Sequence, residues 1–210
     1  MIKLPALLTA SALSFTFAVS AQAATITFDA VPSSGNPILT HLSTDGFDFD
    51  GLHFHTVDTF AGGLVSNGTI YLASESESDL GRPITMTRAG GGTFTLNRFD
   101  GAETFYLSPT WFSILVTGVQ SGGGVLSTLL TLDGIADGGG GVADFQTFAL
   151  NWTDLVSVTF DGRLATGARG GFTVDNIVVD SATAVPEPAS LTLLGTGIAL
   201  AARRLRKRTS

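Results

Sequence analysis

From Ala24 to Thr183 the chain consists of short stretches in which apolar and polar residues alternate one by one. Alternation with a period of two is typical of strands that bury one face and expose the other. No stretch of this region has the spacing of an amphipathic helix, and 24 glycines in 160 residues interrupt the alternating segments. The pattern predicts an all-β domain of about ten antiparallel strands, a β-sandwich or jelly roll. The clearest alternating segments are 25–28, 69–72, 84–87, 93–96, 112–116, 156–160 and 172–179.

Glycine also predicts where the chain turns. Asp-Gly pairs favour tight hairpin turns, and runs of glycine favour loop tips. None of the runs precedes a helical pattern, which excludes nucleotide-binding phosphate loops. The predicted turns are at Asp100-Gly101, Asp133-Gly134 and Asp161-Gly162, and the predicted loop tips are at 90–92, 122–124, 138–141 and 170–171.

In one segment the aromatic residues change from odd-numbered to even-numbered positions. In residues 47–55 the aromatic residues are odd-numbered before Gly51 and even-numbered after it. A β-bulge at Asp50-Gly51 would restore the pairing, because glycine tolerates the extra residue. The bulge would make Asp48, Asp50, His53 and His55 face outward together. The two histidines could ligate zinc, but the sequence fixes no third ligand.

Charge and cysteine content exclude several classes of function. The chain has no cysteine, so disulfides, cysteine-ligated metals and thiol nucleophiles are excluded. Between Ala24 and Thr183 there are seventeen acidic residues, five arginines and no lysine, a net charge of about −12. A domain of this sign repels nucleic acid and attracts cations.

Acidic residues at two strand ends predict a calcium site. Asp29 ends the first alternating segment, and Asp175 and Asn176 lie in the last. The first and last strands of a jelly roll often lie side by side, so these oxygens could meet and bind calcium. The alternative is that these are solvated aspartates that cap turns.

Four amphipathic aromatic residues are candidates for contact with sugar rings, whose C–H faces pack against such side chains. The alternative is that they belong to the core. The residues are Tyr71, Tyr106, Trp111 and Trp152.

The sequence has no hydrolase signature of the nucleophile-elbow, Ser-x-x-Lys or zinc-protease type. We therefore predict no catalytic residues and a protein that is not an enzyme. A glycan hydrolase stays an alternative, because two carboxylates in a groove would suffice for that chemistry.

Residues 1–23 are predicted to be a secretory signal peptide. Lys3 precedes an apolar run over 6–19, and Ala21 and Ala23 supply the small residues at the −3 and −1 positions of a cut before Ala24. Signal peptidase is the expected processing partner, and the β-sandwich domain would span residues 24–183.

Residues 184–210 have three parts. A Pro-Glu-Pro segment is followed by an apolar stretch over 189–202, predicted as a single membrane helix, and by a basic tail over 203–208. Fourteen residues span roughly 21 Å as a helix, a marginal membrane anchor, and the basic tail would stay in the cytoplasm. The residues of this signal are Val185, Pro186, Glu187, Pro188, Arg203, Arg204, Arg206, Lys207 and Arg208.

These three parts resemble the PEP-CTERM sorting signal, also named the ice-binding protein C-terminal domain. The resemblance implies export, transient retention in the inner membrane of a Gram-negative bacterium, processing by an exosortase, and delivery to the cell surface or the exopolysaccharide matrix. It implies nothing about ice. We therefore expect an exported, non-enzymatic, carbohydrate-contacting module, with a purely structural surface protein as the alternative.

Overall fold

A computed structural model describes residues 23–33, 37–58, 65–74, 82–104, 112–134 and 145–180. This part of the chain contains strands and no helix, which confirms the all-β prediction. The described residues form ten strands, in agreement with the prediction of about ten. They are β1 (Ala23–Ile26), β2 (Leu39–Thr44), β3 (Phe47–Val57), β4 (Tyr71–Ser74), β5 (Ile84–Arg88), β6 (Phe94–Ala102), β7 (Phe112–Gln120), β8 (Val125–Thr131), β9 (Gln146–Leu164) and β10 (Phe172–Asp180).

All strand pairs are antiparallel, and six strands form a closed circuit of pairing. The circuit runs β10–β4–β3–β5–β9–β6 and returns to β10. β1 adds to β10, β2 adds to β3, and the β7–β8 hairpin adds to β9. The first and last strands are neighbours, as expected, with Ile26 opposite Ile177. The jelly-roll topology stays a prediction.

Two long strands, β3 and β9, each change partners along their length. β9 pairs first with β6 and then with β5 and β7. Its register against β6 shifts twice, next to Asn151 and Asp154, whose φ angles are 53° and 60°. Asparagine and aspartate adopt this left-handed conformation more readily than most residues. These two polar residues therefore bend β9 from one partner to the next.

The bulge in β3 is confirmed. Against β2, Leu39 lies opposite Phe54 and His41 lies opposite Asp50, so β3 holds extra residues around Gly51. A Cβ on Gly51 would lie 3.2 Å from the Pro83 carbonyl oxygen, which explains the glycine. The aromatic residues on both sides of the bulge are buried, as the change in parity predicted.

The prediction that His55 faces outward is wrong. His55 is buried and lies opposite Ala73 of β4. A small second apolar cluster of Val57, Val65, Tyr71 and Ala73 covers this side of the strands. The first half of β3 behaves as expected, since Asp50 is exposed there.

One main core fills the space inside the circuit. Its members come from eight strands, and strands such as β5 and β6 alternate between buried and accessible residues because only one of their faces lies on this core. Phe99 stacks edge-on against Phe160 with ring centroids 5.1 Å apart, and Phe28 does the same against Phe49 at 5.4 Å. Edge-to-face pairs of this kind contribute about 0.5–1.5 kcal/mol beyond their burial.

Two of the predicted Asp-Gly turns are wrong. Asp100-Gly101 lies within β6 and Asp161-Gly162 lies within β9. Both glycines permit close packing instead, since a Cβ on Gly101 would lie 2.9 Å from the Ile114 side chain. The runs at 90–92 and 122–124 do form the turns between β5 and β6 and between β7 and β8.

The other predicted turns have mixed outcomes. Asp133-Gly134 follows β8 and Gly134 has a φ of 72°, but the chain after Gly134 lies outside the described residues, so the turn there stays a prediction. Residues 170–171 are buried rather than at a loop tip, because the Gly170 N–H donates to the Gly162 carbonyl. The run at 138–141 lies outside the described residues.

The structure contains no helix long and apolar enough to cross a membrane among the residues it describes. The predicted signal peptide up to Gln22 and the predicted membrane helix over 189–202 lie outside those residues. A cut after Ala23 would remove one of the four paired residues of β1.

Candidate functional site

A shallow open groove lies beside the bulge of β3. Its volume is about 580 Å³. The bulge exposes Leu52, which is 67% accessible, and the adjoining strands β2 and β5 supply the walls. The groove is lined by Thr40, Asp50, Gly51, Leu52, Arg82, Pro83, Thr85 and Arg169.

The groove concentrates the scarce positive charge of the domain. Two of its five arginines, Arg82 and Arg169, line it together with one acid, Asp50. Guanidinium and carboxylate groups are planar and form paired hydrogen bonds, and an exposed leucine offers an apolar contact. This set of groups suits a ligand that carries many hydroxyl groups on an aliphatic ring.

Asp50 is held in place by a chain of hydrogen bonds on the exposed face of β2 and β3. Its Oδ1 lies 2.8 Å from His41 Nδ1, and His41 Nε2 lies 3.1 Å from Ser43 Oγ. The order Asp-His-Ser is that of a catalytic triad, but the Ser43 hydroxyl donates to Asp48 Oδ1 at 2.5 Å. The histidine therefore has no serine proton to accept, and this network orients Asp50 rather than activating a nucleophile.

The residues predicted for calcium are brought together in part. Asp29 follows β1 and accepts a hydrogen bond from the Ile70 backbone N–H at 3.1 Å. Asp175 Oδ2 accepts from Asn67 Nδ2 at 2.7 Å and from Thr69 Oγ1 at 2.9 Å. Because Thr69 and Ile70 are adjacent, the two carboxylates lie at the same place in the fold.

Asp175 is completely buried. Burial raises the pKa of its carboxyl above the ordinary value, and the nearby charge of Asp29 adds to this. Hydrogen bonds from Asn67, the Asn176 backbone and Thr69 oppose the rise. Asp175 Oδ1 accepts no hydrogen bond from the described residues. A buried carboxylate oxygen without a donor is a position that a cation would satisfy.

Asn176 has another contact. It has a φ of 47° and lies where the register of β10 against β6 shifts, so it forms a bulge. Its Nδ2 donates to Asp100 Oδ2 at 3.0 Å. Within the described ranges no group of three His, Cys, Asp or Glu residues is placed to hold a metal ion. A calcium ion here would need backbone, amide or hydroxyl oxygens besides Asp29 and Asp175.

The prediction that Tyr71 contacts a sugar is wrong. Its side chain is completely buried, and its hydroxyl donates to the Val65 carbonyl at 2.8 Å. Trp152 is half-buried and packs against the main core. Both residues therefore follow the alternative that the sequence left open. Tyr106 and Trp111 lie outside the described residues.

His53 and His55 contact each other through their Nε2 atoms, which are 3.2 Å apart. One ring must donate its proton to the other, which is a complete hydrogen bond without a metal. This hydrogen bond explains why the two imidazole rings lie close together without a zinc ion between them.

Sequence reasoning missed the groove. Leu52 looked like one more residue of an alternating strand, and Arg82 and Arg169 are 87 positions apart in sequence. The one available signal was the change of parity at Gly51, because a bulge often bends a strand next to a binding site.

Comparison with known proteins identifies the C-terminal region. Residues 184–207 match the PEP-CTERM protein-sorting motif. The chain carries a PEP-CTERM sorting signal. The resemblance noted from the Pro-Glu-Pro segment, the apolar stretch and the basic tail is thereby confirmed, and the signal marks the protein for export. No curated protein matches the chain in sequence.

Solved structures similar to this PEP-CTERM protein include carbohydrate-binding modules. A family 29 module, CBM29-2, is 10% identical, with a TM-score of 0.41, and covers 77% of this chain and 92% of its own. TmCBM61, solved in complex with β-1,4-galactotriose, is 10% identical, with a TM-score of 0.38 and coverages of 74% and 94%. The adhesin domain of Lys-gingipain from Porphyromonas gingivalis W83 is 11% identical, with a TM-score of 0.39 and coverages of 77% and 99%.

Proposed function

We propose that this exported protein is a surface or matrix component that contacts polysaccharide in the groove beside β3, without catalysing a reaction on it. The observation that carries the proposal is the convergence of Arg82, Arg169 and Asp50 around the exposed Leu52. In a domain with about −12 net charge, two of the five arginines share this groove.

The chemistry of the lining supports a sugar ligand. Arginine and aspartate side chains can each bind two neighbouring hydroxyls, and Thr40 and Thr85 add further donors and acceptors. Leu52 would pack against the C–H face of a ring. Asp50 is the one acid among the described residues that line the groove, whereas glycoside hydrolysis uses two carboxylates on either side of the bond. The lining thus favours binding over catalysis.

The sorting signal supports a route to the site of action. In the proposed route, signal peptidase removes residues 1–23, and the apolar stretch over 189–202 holds the chain in the inner membrane of a Gram-negative bacterium. An exosortase then processes the tail near Pro186 and Pro188. The protein reaches the cell surface or the exopolysaccharide matrix, where the groove meets its ligand.

Substitutions in the groove test the sugar contact. We expect Arg169→Ala and Leu52→Ala each to weaken polysaccharide binding about tenfold, which corresponds to ~1.4 kcal/mol. The measurement is retardation of the protein in native gels that contain soluble neutral or carboxylated polysaccharides. The control is Arg98→Ala, which removes an exposed arginine of β6 outside the groove.

Two outcomes would contradict the proposal. In one, Arg98→Ala weakens retardation as much as Arg169→Ala, which would show a general charge effect. In the other, the wild-type protein is not retarded by any polysaccharide. That result would favour the purely structural surface protein.

We further propose that calcium binds beside Asp175 and Asp29. The support is Asp175 Oδ1, a buried oxygen with no donor among the described residues, together with the second carboxylate of Asp29 beside it. Calcium would supply the missing positive partner, and chain oxygens near Asn67 and Thr69 would complete the coordination.

Stability as a function of pH and calcium tests this site. The pKa of Asp175 is raised in the folded state, so without calcium its contribution to stability is greatest at low pH and is lost as pH rises above about 4. Relative to Asp175→Asn, the wild-type protein should therefore become less stable as the pH rises from about 4 through the raised pKa of Asp175. Calcium at 100 times its Kd should add about 2.7 kcal/mol to the wild type and nothing to the variant.

Thermal unfolding with calcium and with chelator measures both effects. Asp45→Asn is the control, because Asp45 is exposed in a turn with a φ of 50°, which asparagine adopts readily. An equal response to calcium in the wild type and in Asp175→Asn would contradict the site.

A further inference from the structure

Strand β8 lies at an edge of the sheet that the described residues form. Within the described residues β8 pairs with β7 alone. The Gln120 N–H donates to the Gly124 carbonyl, and the register places Val119 opposite Val125 and Thr117 opposite Ser127. In an antiparallel pair every second residue forms backbone hydrogen bonds with the partner strand. Residues 126, 128 and 130 therefore form backbone hydrogen bonds with β7. Residues 125, 127, 129 and 131 therefore direct their N–H and C=O groups outward.

The side chains of this edge are uncharged and partly apolar. Residues 112–131, which form the β7–β8 hairpin, contain no acidic or basic residue, although the domain is strongly acidic. Val125 and Leu129 are 64% and 57% exposed on the same face of β8. Sheet edges are normally protected by charges, prolines or bulges, and β8 has none of these.

We propose that β8 pairs with β8 of a second copy of this chain, antiparallel about a two-fold axis at Ser127. In this register Val125 of each copy lies opposite Leu129 of the other, so both exposed apolar side chains gain a partner. Residues 125, 127 and 129 direct their backbone groups outward in both copies, and their hydrogen bonds would join the two sheets.

The distribution of charge favours a second copy of this chain as the partner of the β8 edge. Two domains of about −12 repel each other wherever their acidic residues meet. The β7–β8 hairpin carries no charged residue, so two copies can approach there without bringing acidic side chains of the hairpins together. A pairing about a two-fold axis also ends at a dimer, because it uses the β8 edge of both copies. The proposal is independent of the groove, which lies beside β3.

A single engineered cysteine gives a direct test, because the chain has none of its own. Opposite residues in a hydrogen-bonded antiparallel pair have Cα atoms about 5.5 Å apart, a distance that a disulfide spans. We expect Ser127→Cys to form a covalent dimer under mild oxidation, in the full chain dispersed in detergent. The matched control is Ser121→Cys, an exposed serine at the tip of the same hairpin. Equal cross-linking of both variants, or no cross-linking of Ser127→Cys, would overturn the proposal.

A charge at the edge gives a second test that needs no cross-link. Leu129→Lys places a charge in each half of the pairing and should convert the dimer to a monomer, measured as molar mass by light scattering after size exclusion. Leu52→Lys is the matched control, because it changes an equally exposed leucine outside β8 and should remain dimeric. A monomeric wild type, or a Leu129→Lys variant that stays dimeric, would overturn the proposal.

Discussion

Gly162→Ala should strongly destabilise the folded domain. A Cβ on Gly162 would lie 2.1 Å from the carbonyl oxygen of Gly170 and 2.9 Å from its carbonyl carbon. Both atoms belong to the backbone, so no side-chain rotation relieves the clash. The two segments would have to separate, which would also break the hydrogen bond from the Gly170 N–H to the Gly162 carbonyl.

The expected cost is about 4 kcal/mol or more, at the upper end of what single substitutions do. Because domains are stable by only about 5–15 kcal/mol, a cost of this size would remove a large share of the stability of the domain. The measurement is the yield of folded protein and its denaturant midpoint. Gly122→Ala is the control, because a Cβ there meets nothing within 4 Å and should leave both unchanged. A variant Gly162→Ala as stable as Gly122→Ala would show that this close approach is absent.

Changing both prolines of the sorting signal should trap the protein in the membrane. Because proline restricts its own φ, the sequence predicts an extended backbone at Pro186 and Pro188, between the domain and the apolar stretch. In the proposed route an exosortase acts at this segment. The double variant Pro186→Ala/Pro188→Ala should therefore keep its tail, with most of the protein in the membrane fraction instead of outside the cell.

Cell fractionation followed by mass measurement of the protein in each fraction distinguishes the two states. Pro32→Ala is the control, because it changes an exposed proline of the β-domain and should be exported like the wild type. Normal processing and release of the double variant would contradict a role for the Pro-Glu-Pro segment in export.

Much of the fold could be predicted because alternation reports burial directly. Segments such as 84–87 and 172–179 lie in β5 and β10, and the change of parity at Gly51 correctly indicated a bulge. The pairing of β1 with β10 followed from the expected architecture. In each case the signal is local, or depends on a general property of antiparallel folds.

The failures come from contacts between residues distant in sequence. Asp161-Gly162 looks like a turn, but Gly162 is there because the backbone at Gly170 passes close to it. Only part of β9 was predicted, because Asn151 and Asp154 look like loop residues although they bend a continuous strand of 19 residues. Their role depends on the partner strands, which periodicity does not encode.

The candidate sites also include one that the sequence could predict and others that depend on contacts between distant residues. The juxtaposition of Asp29 and Asp175 was predictable, because Asp29 follows the first strand, Asp175 lies in the last, and these two strands are neighbours. The burial of Tyr71 was not, because the segment around Val65 that covers it is irregular. The groove was not predictable either, since Arg82 and Arg169 meet only once the strands are placed.

Hydrogen exchange with and without polysaccharide tests the central claim, that the groove is the contact surface of this exported protein. The full chain would be compared alone and with the polysaccharide that retards it most strongly. We predict slower exchange at the amides of Gly51, Leu52, Thr85 and Arg169, and no change along β8. Protection elsewhere in the domain with none at these four residues would contradict the claim.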